Sequence, residues 1–275
     1  MAVGLEAMMR AAAKPCRVEA SLHTKPTMEG SLWRRSYLRC DWLPFSHIEY
    51  CFGAHFDNIA VPASRADDYR YCLQWRNGFP DGARELVDLL SEALVVPTRH
   101  DRRIDLAVAL DWYKILDPAV SSDQWENTVV GDLIWKMKYW KDAGTRRAAA
   151  DRLVAMLAAA VSRHPALRGA PYVVSVPGSA GDGNSVGEYI ARHVADQTGK
   201  SLIQTIGPAR EARKGGGSLD ALDGRFHLPT SLHHPCIVVD DVYRSGVTMR
   251  ATALAARQAG APSVFGLAAA KTISG

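Results

Sequence analysis

Two adjacent carboxylates, Asp240 and Asp241, follow a short apolar run and are the residues of this sequence best placed to do chemistry. The apolar run, residues 237–239, is typical of a parallel strand covered on both faces, and ligands bind beyond the carboxyl ends of such strands. Neighbouring carboxylates repel one another unless something polar or cationic shares them. A vicinal diol or a magnesium-bound sugar phosphate is a suitable guest.

The residues after the acid pair predict an anion site. They are Arg244, Ser245, Gly246, Val247 and Thr248, which supply backbone N–H groups, two hydroxyls and a flexible glycine. An alanine-rich helical pattern follows, so these groups would lie at a helix N-terminus, where an anion is favoured. Acids that bind hydroxyls, next to a phosphate cradle, indicate a ribose 5-phosphate group.

Residues 238–248 read Val-Val-Asp-Asp-Val-Tyr-Arg-Ser-Gly-Val-Thr, which resembles the phosphoribosyl pyrophosphate (PRPP) signature of type I phosphoribosyltransferases. The usual family form has Thr-Thr-Gly where this chain has Arg-Ser-Gly. The resemblance implies that Asp240 and Asp241 are the catalytic residues and hold the ribose 2′- and 3′-hydroxyls. It implies that residues 244–248 wrap the 5′-phosphate, and that Mg²⁺ is bound through PRPP, with no side chain assigned as a metal ligand.

The order of elements is most similar to the ComF-like branch of this family. Lys138-Tyr139 precedes the core, and the sequence ends soon after the last predicted strand. In ComF-like proteins a Lys-Tyr pair lies close to the ligand region, which makes Lys138 a ligand-proximal candidate. A solvated lysine on a helix is the alternative interpretation.

The activity that the resemblance implies is PRPP-dependent phosphoribosyl transfer to a nucleobase-like or other small acceptor, with release of pyrophosphate. Two alternatives stay open: a non-catalytic module that senses PRPP or a nucleotide, and a ComF-like accessory protein in DNA uptake or processing. Support for a nucleic-acid partner is confined to the aromatic and basic strings at residues 33–42 and 135–141. The acceptor is not assigned, and a homodimer is left open.

A second strand, loop and helix are predicted upstream. Residues 172–176 are an apolar strand, and Ser185 with Glu188 forms a capping-box pattern at a helix start. Family members bind pyrophosphate at the loop between them. The residues in that position are Gly178, Ser179, Ala180 and Gly181. The family usually has a basic residue there, whereas this loop has none and adds Asp182.

A long basic segment, residues 206–225, precedes the acid-bearing strand. Arg213 and Lys214 are followed by three consecutive glycines. The segment resembles the flexible loop that closes over PRPP, a gating role that needs the conformational freedom of glycine. A plain linker is the alternative.

The succession of strands and helices predicts an α/β fold: a parallel sheet flanked by helices, like a type I phosphoribosyltransferase core, with an N-terminal α+β extension. We expect this core in residues 127–275, an extension of unassigned role in residues 31–126, and a leader in residues 1–30. Predicted helices cover residues 84–96, 145–162 and 248–258, and a further one is capped by Thr128. Predicted strands cover residues 104–116, 201–205 and 264–268, and a half-buried strand is expected within residues 31–58.

Composition excludes several classes of protein. The 275 residues have 47% hydrophobic content, and 33 basic against 29 acidic residues give a net charge of +4, too small to argue for nucleic-acid or membrane binding. Five cysteines without a CxxC pair favour neither a disulfide framework nor a zinc knuckle, so a reducing cytoplasm is expected. The longest uncharged apolar stretch is too short to span a membrane.

Overall fold

The computed structural model describes residues 19–23, 34–98, 102–209 and 221–273. Packing divides the described residues into two units. The first contains residues 19–23, 34–95 and 163–165, and the second contains residues 96–98, 102–162, 166–209 and 221–273. The division at residue 127 that the sequence suggested stays a prediction.

The first unit contains an antiparallel sheet with the strand order β1-β2-β4-β3. Its strands are β1 (Glu19–His23), β2 (Arg34–Arg39), β3 (Phe56–Ile59) and β4 (Tyr71–Trp75). The helices are α1 (Trp42–Phe52) and α2 (Ala83–Glu92), and short 3₁₀ turns cover Gly53–His55 and Ala63–Arg65. Trp75 is fully buried and its indole N–H donates to the hydroxyl of Ser36, which is also buried, at 2.8 Å, so these two buried polar groups satisfy each other.

Two local predictions in this unit are confirmed, but with shorter bounds than the sequence suggested. The strand expected in residues 31–58 stops at Arg39, because from Trp42 onward the buried residues Phe45, Ile48 and Phe52 recur at spacings of three and four, which is a helical period. The helix expected over residues 84–96 ends at Glu92. Beyond it the chain extends into the two-residue strand β5, Leu94–Val95.

The second unit contains a parallel sheet, and the predicted α/β class with a separate N-terminal α+β region is confirmed. Its strands are β6 (Leu106–Trp112), β7 (Tyr172–Ser175), β8 (Ser201–Gln204), β9 (Cys236–Tyr243) and β10 (Val264–Lys271), in the order β6-β10-β9-β7-β8. Every neighbouring pair in that order is parallel. The central strands are buried apolar runs, as expected for a parallel sheet with covered faces.

The helices of this unit are α3 (Val129–Tyr139), α4 (Ala143–Arg163), α5 (Pro165–Gly169), α6 (Val186–Thr198) and α7 (Val247–Gln258). The predicted N-cap of α3 is confirmed, since the Thr128 hydroxyl accepts from Gly131 N at 3.0 Å. Pro165 begins α5, in keeping with the tolerance of proline in the first helical turn.

Candidate functional site

Strand β9 carries the acid pair beyond the end of one of its neighbours. The last residues that β7 and β9 pair are Ser175 and Val239, whereas pairing of β9 with β10 continues to Tyr243. The four residues of β9 after Val239 are therefore at an open part of the carboxyl edge, and each is half-buried. This is the kind of edge at which open parallel sheets bind ligands.

Each acid is fixed by the next backbone amide. Asp241 N donates to Asp240 Oδ1 at 2.9 Å, and Val242 N donates to Asp241 Oδ1 at 2.8 Å. Burial, together with the negative charge of Asp241, raises the pKa of Asp240 well above its ordinary value. Asp240 therefore retains its proton to a higher pH than an ordinary aspartate.

Lys138 lies at the acid pair. Its ammonium forms an ion pair with Asp241 Oδ2, and the two side chains are 30% and 16% exposed. Burial opposes the charged form of Lys138, but the carboxylates of Asp241 and Asp240 outweigh it and raise the pKa of the lysine. The structure thus brings together three of the residues that the sequence singled out.

The position of Lys138 depends on how α3 starts. The Thr128 hydroxyl donates to the carbonyl of Trp112, the last residue of β6, at 2.5 Å. Gly131 lies so close to β6 that a Cβ atom there would overlap the Tyr113 carbonyl. The start of α3 is therefore held against the sheet, and its last turn delivers Lys138 to Asp241.

The loop after β9 turns sharply before α7. Gly246 has a φ of 79°, in the left-handed region, and packs so closely on Tyr243 that a Cβ atom would overlap the phenol hydroxyl. Arg244 and Ser245 are exposed, Gly246 and Val247 are buried, and Thr248 is half-buried. The first amides of α7 follow the acid pair directly along the chain and favour an anion there.

The loop after β7 is arranged differently. Ser179, Ala180 and Gly181 are exposed, and Gly181 N donates to Gly178 O at 3.2 Å, so one loop amide is used within the loop. The start of α6 approaches the acids closely. A Cβ atom at Gly187 would lie 3.3 Å from Asp240 Oδ1.

Sequence reasoning missed residues that the tertiary structure brings to this edge. Tyr113 is half-buried; burial raises the pKa of its phenol, an effect that the Lys138 charge partly opposes. The Lys271 ammonium lies 4.8 Å from the centre of the Trp112 ring, in a cation–π contact. These residues share one sequence signal, which is their position at the carboxyl end of a parallel strand. The signal places them near the acids only when the order of the strands in the sheet is known.

Other sequence candidates lie elsewhere. Arg213, Lys214 and Trp33 fall outside the described residues. On α3, Trp135, Tyr139 and Trp140 are exposed, and the Trp135 ring contacts both other rings. In the first unit Tyr37 is buried, so the predicted string at residues 33–42 does not present all its aromatic residues to solvent.

The described cysteines and histidines of the first unit form no cluster of three. Burial raises the pKa of the Cys40 thiol to about 12, and Cys72 is also buried. His47 Nδ1 lies 2.9 Å from His164 Nε2 in a buried pair. Within the described ranges, no group of three or more His, Cys, Asp or Glu side chains could hold a metal ion.

No protein-family model matches the chain, and no curated protein matches it significantly in sequence. One solved structure that it resembles is an orotate phosphoribosyltransferase from Aeropyrum pernix, with 19% identity over 57% of this chain and 71% of that one, at a TM-score of 0.30. None of the helices among the described residues is both long and apolar enough to cross a membrane.

Proposed function

We propose that this chain binds PRPP and transfers its phosphoribosyl group to a small acceptor, releasing pyrophosphate. The observation that carries the proposal is the pair of half-buried acids at the open carboxyl edge of β9, directly before the start of α7. A diol next to a phosphate group is the ligand whose shape and charge fit both features.

In this proposal Asp240 and Asp241 hold the two ribose hydroxyls. Each acid accepts a hydrogen bond from one hydroxyl through a carboxyl oxygen. Lys138 fixes the Asp241 carboxylate. Residues 244–248 hold the 5′-phosphate through backbone amides and the hydroxyls of Ser245 and Thr248.

The proposed transfer uses two electron pairs, which both move from the acceptor side toward the departing diphosphate. The bond between ribose C1 and the diphosphate oxygen breaks, and its electrons leave with the diphosphate. A lone pair of the acceptor forms the new bond to C1, and a proton on the attacking atom leaves to solvent. Carboxylates near the ribose stabilise the positive charge that develops on C1 while one bond breaks and the other forms.

Mg²⁺ would enter this site bound to the phosphates of the ligand and not to the two acids. Carboxylate oxygens are suitable ligands for Mg²⁺. In each acid, however, one oxygen already accepts a hydrogen bond from a backbone amide, and Asp241 also forms an ion pair with Lys138. We therefore assign the ion to the phosphates of PRPP. When bound, Mg²⁺ neutralises charge on the departing diphosphate.

Calorimetry tests the binding step. We expect wild-type protein to bind PRPP with Mg²⁺ and the Asp240→Asn/Asp241→Asn variant to lose at least tenfold in affinity, because it lacks the anionic acceptors for the diol. Asp182→Asn, which removes an exposed acid from the loop after β7, should bind like wild type. Equal affinity in the double variant and the wild type would contradict the proposal, provided that circular dichroism shows both folded.

A sensing module is the second candidate, and the loop at residues 178–181 favours it. That loop has no basic residue and uses one of its own amides internally. The same protein is tested for pyrophosphate release from PRPP with a panel of nucleobases and amines. Release with any acceptor excludes a purely sensing role, and tight binding without release across the panel supports it.

A further inference from the structure

Helix α3 carries a stripe of side chains that the described part of the chain leaves uncovered. The stripe consists of Val129, Asp132, Lys136 and Tyr139, whose spacings of three, four and three place them on one face of the helix. Val129 and Tyr139, at its two ends, are 57% and 65% exposed. The side chains of Asp132 and Lys136, in its middle, are 42% and 34% exposed.

Two tryptophans extend the apolar surface beside this stripe. Trp135 and Trp140 are both exposed. The centre of the Trp135 ring lies 6.3 Å from that of Tyr139 and 5.5 Å from that of Trp140. The three rings therefore form one continuous exposed surface. Tyr and Trp are enriched at protein interfaces, and a contiguous apolar patch on a protein surface marks an interaction site.

The stripe is complementary to itself. Asp132 and Lys136 lie at equal distances along the chain from residue 134, and so do Val129 and Tyr139. A second copy of α3, running antiparallel and related by a two-fold axis at residue 134, would set Asp132 opposite the partner's Lys136. It would likewise set Val129 opposite the partner's Tyr139. Every contact then occurs twice, as a two-fold interface requires.

The charges of the stripe favour this occupant over a nucleic acid or an anionic lipid surface. Lys136 Nζ lies 2.7 Å from Asp132 Oδ2, so an acid stands where a phosphate would have to bind. Ion pairs between partly exposed side chains are weak, and both charges can exchange their partners for those of a second copy. Such a copy supplies an opposite charge for each charge and an apolar residue for each apolar residue.

We propose that this chain forms a two-fold symmetric dimer by antiparallel pairing of α3 with α3 of a second copy. Val129 and Tyr139 pack across the interface at both ends of the stripe, and the tryptophans border them. The four charges in the middle form two ion pairs between the copies. The inference does not rest on the proposed function, because the stripe includes neither Lys138 nor the acids of β9.

Charge reversal tests the pairing, measured by sedimentation equilibrium of the full chain over a series of concentrations. Asp132→Lys and Lys136→Asp each set like charges opposite one another, so each should lower the dimer affinity at least about tenfold. In an equal mixture of the two variants every charge again meets its opposite. The mixture should therefore form heterodimers with nearly the affinity of the wild type. Asp151→Lys, which reverses the acid of an exposed pair on α4, should leave the affinity unchanged.

Tyr139→Ser tests the same surface without altering its charges. It removes an exposed ring from each end of the interface and should lower the dimer affinity about tenfold. Circular dichroism checks that each variant is folded.

Three results would overturn the inference: a wild-type protein that stays monomeric at every concentration, a dimer that all three stripe variants leave unchanged, or a mixture that associates no better than its components. A monomer that binds single-stranded DNA or anionic vesicles through Tyr139 would assign the stripe to that partner instead.

Discussion

Two strand–loop–helix connections in the parallel sheet start their helices in opposite ways. Helix α6 begins with a complete capping box: the Ser185 hydroxyl accepts from Glu188 N at 3.2 Å, and the Glu188 carboxylate accepts from Ser185 N at 2.9 Å. Helix α7 begins after Gly246, which has no side chain with which to cap. The first helix start is satisfied by the protein's own carboxylate, whereas the second suits an anion from outside.

The acids of the two connections also differ in position. Glu188 lies inside its helix and is buried, so its charge serves the fold. Asp240 and Asp241 lie on β9, beyond the last residue of that strand that pairs with β7. Of these two connections, only the one after β9 places acids and an uncapped helix start side by side, which is why we assign the sugar phosphate to it.

Gly246→Ala should have the largest effect, because the new methyl group meets both a left-handed backbone and the Tyr243 hydroxyl. We expect a loss of about 3 kcal/mol in the free energy of unfolding, combining backbone strain with overpacking. Urea unfolding measures it.

Gly183→Ala is the matched control for that substitution. Gly183 has nearly the same φ, 76°, but a Cβ atom there would have no heavy atom within 4 Å apart from its chain neighbours. In this variant the free energy of unfolding should fall only by the contribution of backbone strain, about 1 kcal/mol. Equal losses in the two variants would show that the Tyr243 contact is unimportant.

Lys138→Met should have the next largest effect. It leaves the Asp241 carboxylate beside Asp240 without its cation. Breaking a fully buried pair costs about 3–5 kcal/mol, and since both of these side chains retain some exposure we expect a loss of about 2 kcal/mol in urea unfolding at neutral pH. Lys138→Arg keeps the charge and should recover most of the loss; if it does not, packing rather than charge is the cause.

Asp240→Asn should stabilise the protein, by less than Lys138→Met destabilises it. The pKa of Asp240 is raised on folding, so the folded state binds this proton more tightly than the unfolded chain does. Stability is therefore lost as pH rises from the ordinary aspartate pKa through the folded value. The advantage of the variant should be absent at strongly acidic pH and grow as pH rises, measured by urea unfolding across pH. An advantage independent of pH would contradict the assigned cause.

Local sequence signals predicted part of this arrangement. The buried run before Asp240 identified β9, and the side chains of Thr128 and Ser185 identified two helix starts, because strand burial and capping depend on residues close in the chain. The start of α1 was missed because the aromatic and basic alternation before it continues into Trp42.

Contacts between distant segments could not be read from periodicity. The approach of Lys138 to the acids was suggested by family resemblance, not by spacing. The positions of Tyr113 and Gly187 near the acids became visible only when the strand order and helix packing were known, since local patterns do not specify which segments meet.

The smallest expected effect is that of Ser185→Ala, and it tests whether the two helix starts have separate roles. Loss of the cap should lower the free energy of unfolding by about 1 kcal/mol and leave the affinity for ribose 5-phosphate unchanged, because this hydroxyl is engaged with Glu188 N. Ser245→Ala, at the exposed loop before α7, should do the reverse: unchanged unfolding and a several-fold loss of affinity. Urea unfolding and calorimetry on both variants measure the two quantities. If Ser185→Ala weakens ligand binding as much as Ser245→Ala does, the capping box belongs to the ligand site, and the assignment of the sugar phosphate to the connection after β9 alone is wrong.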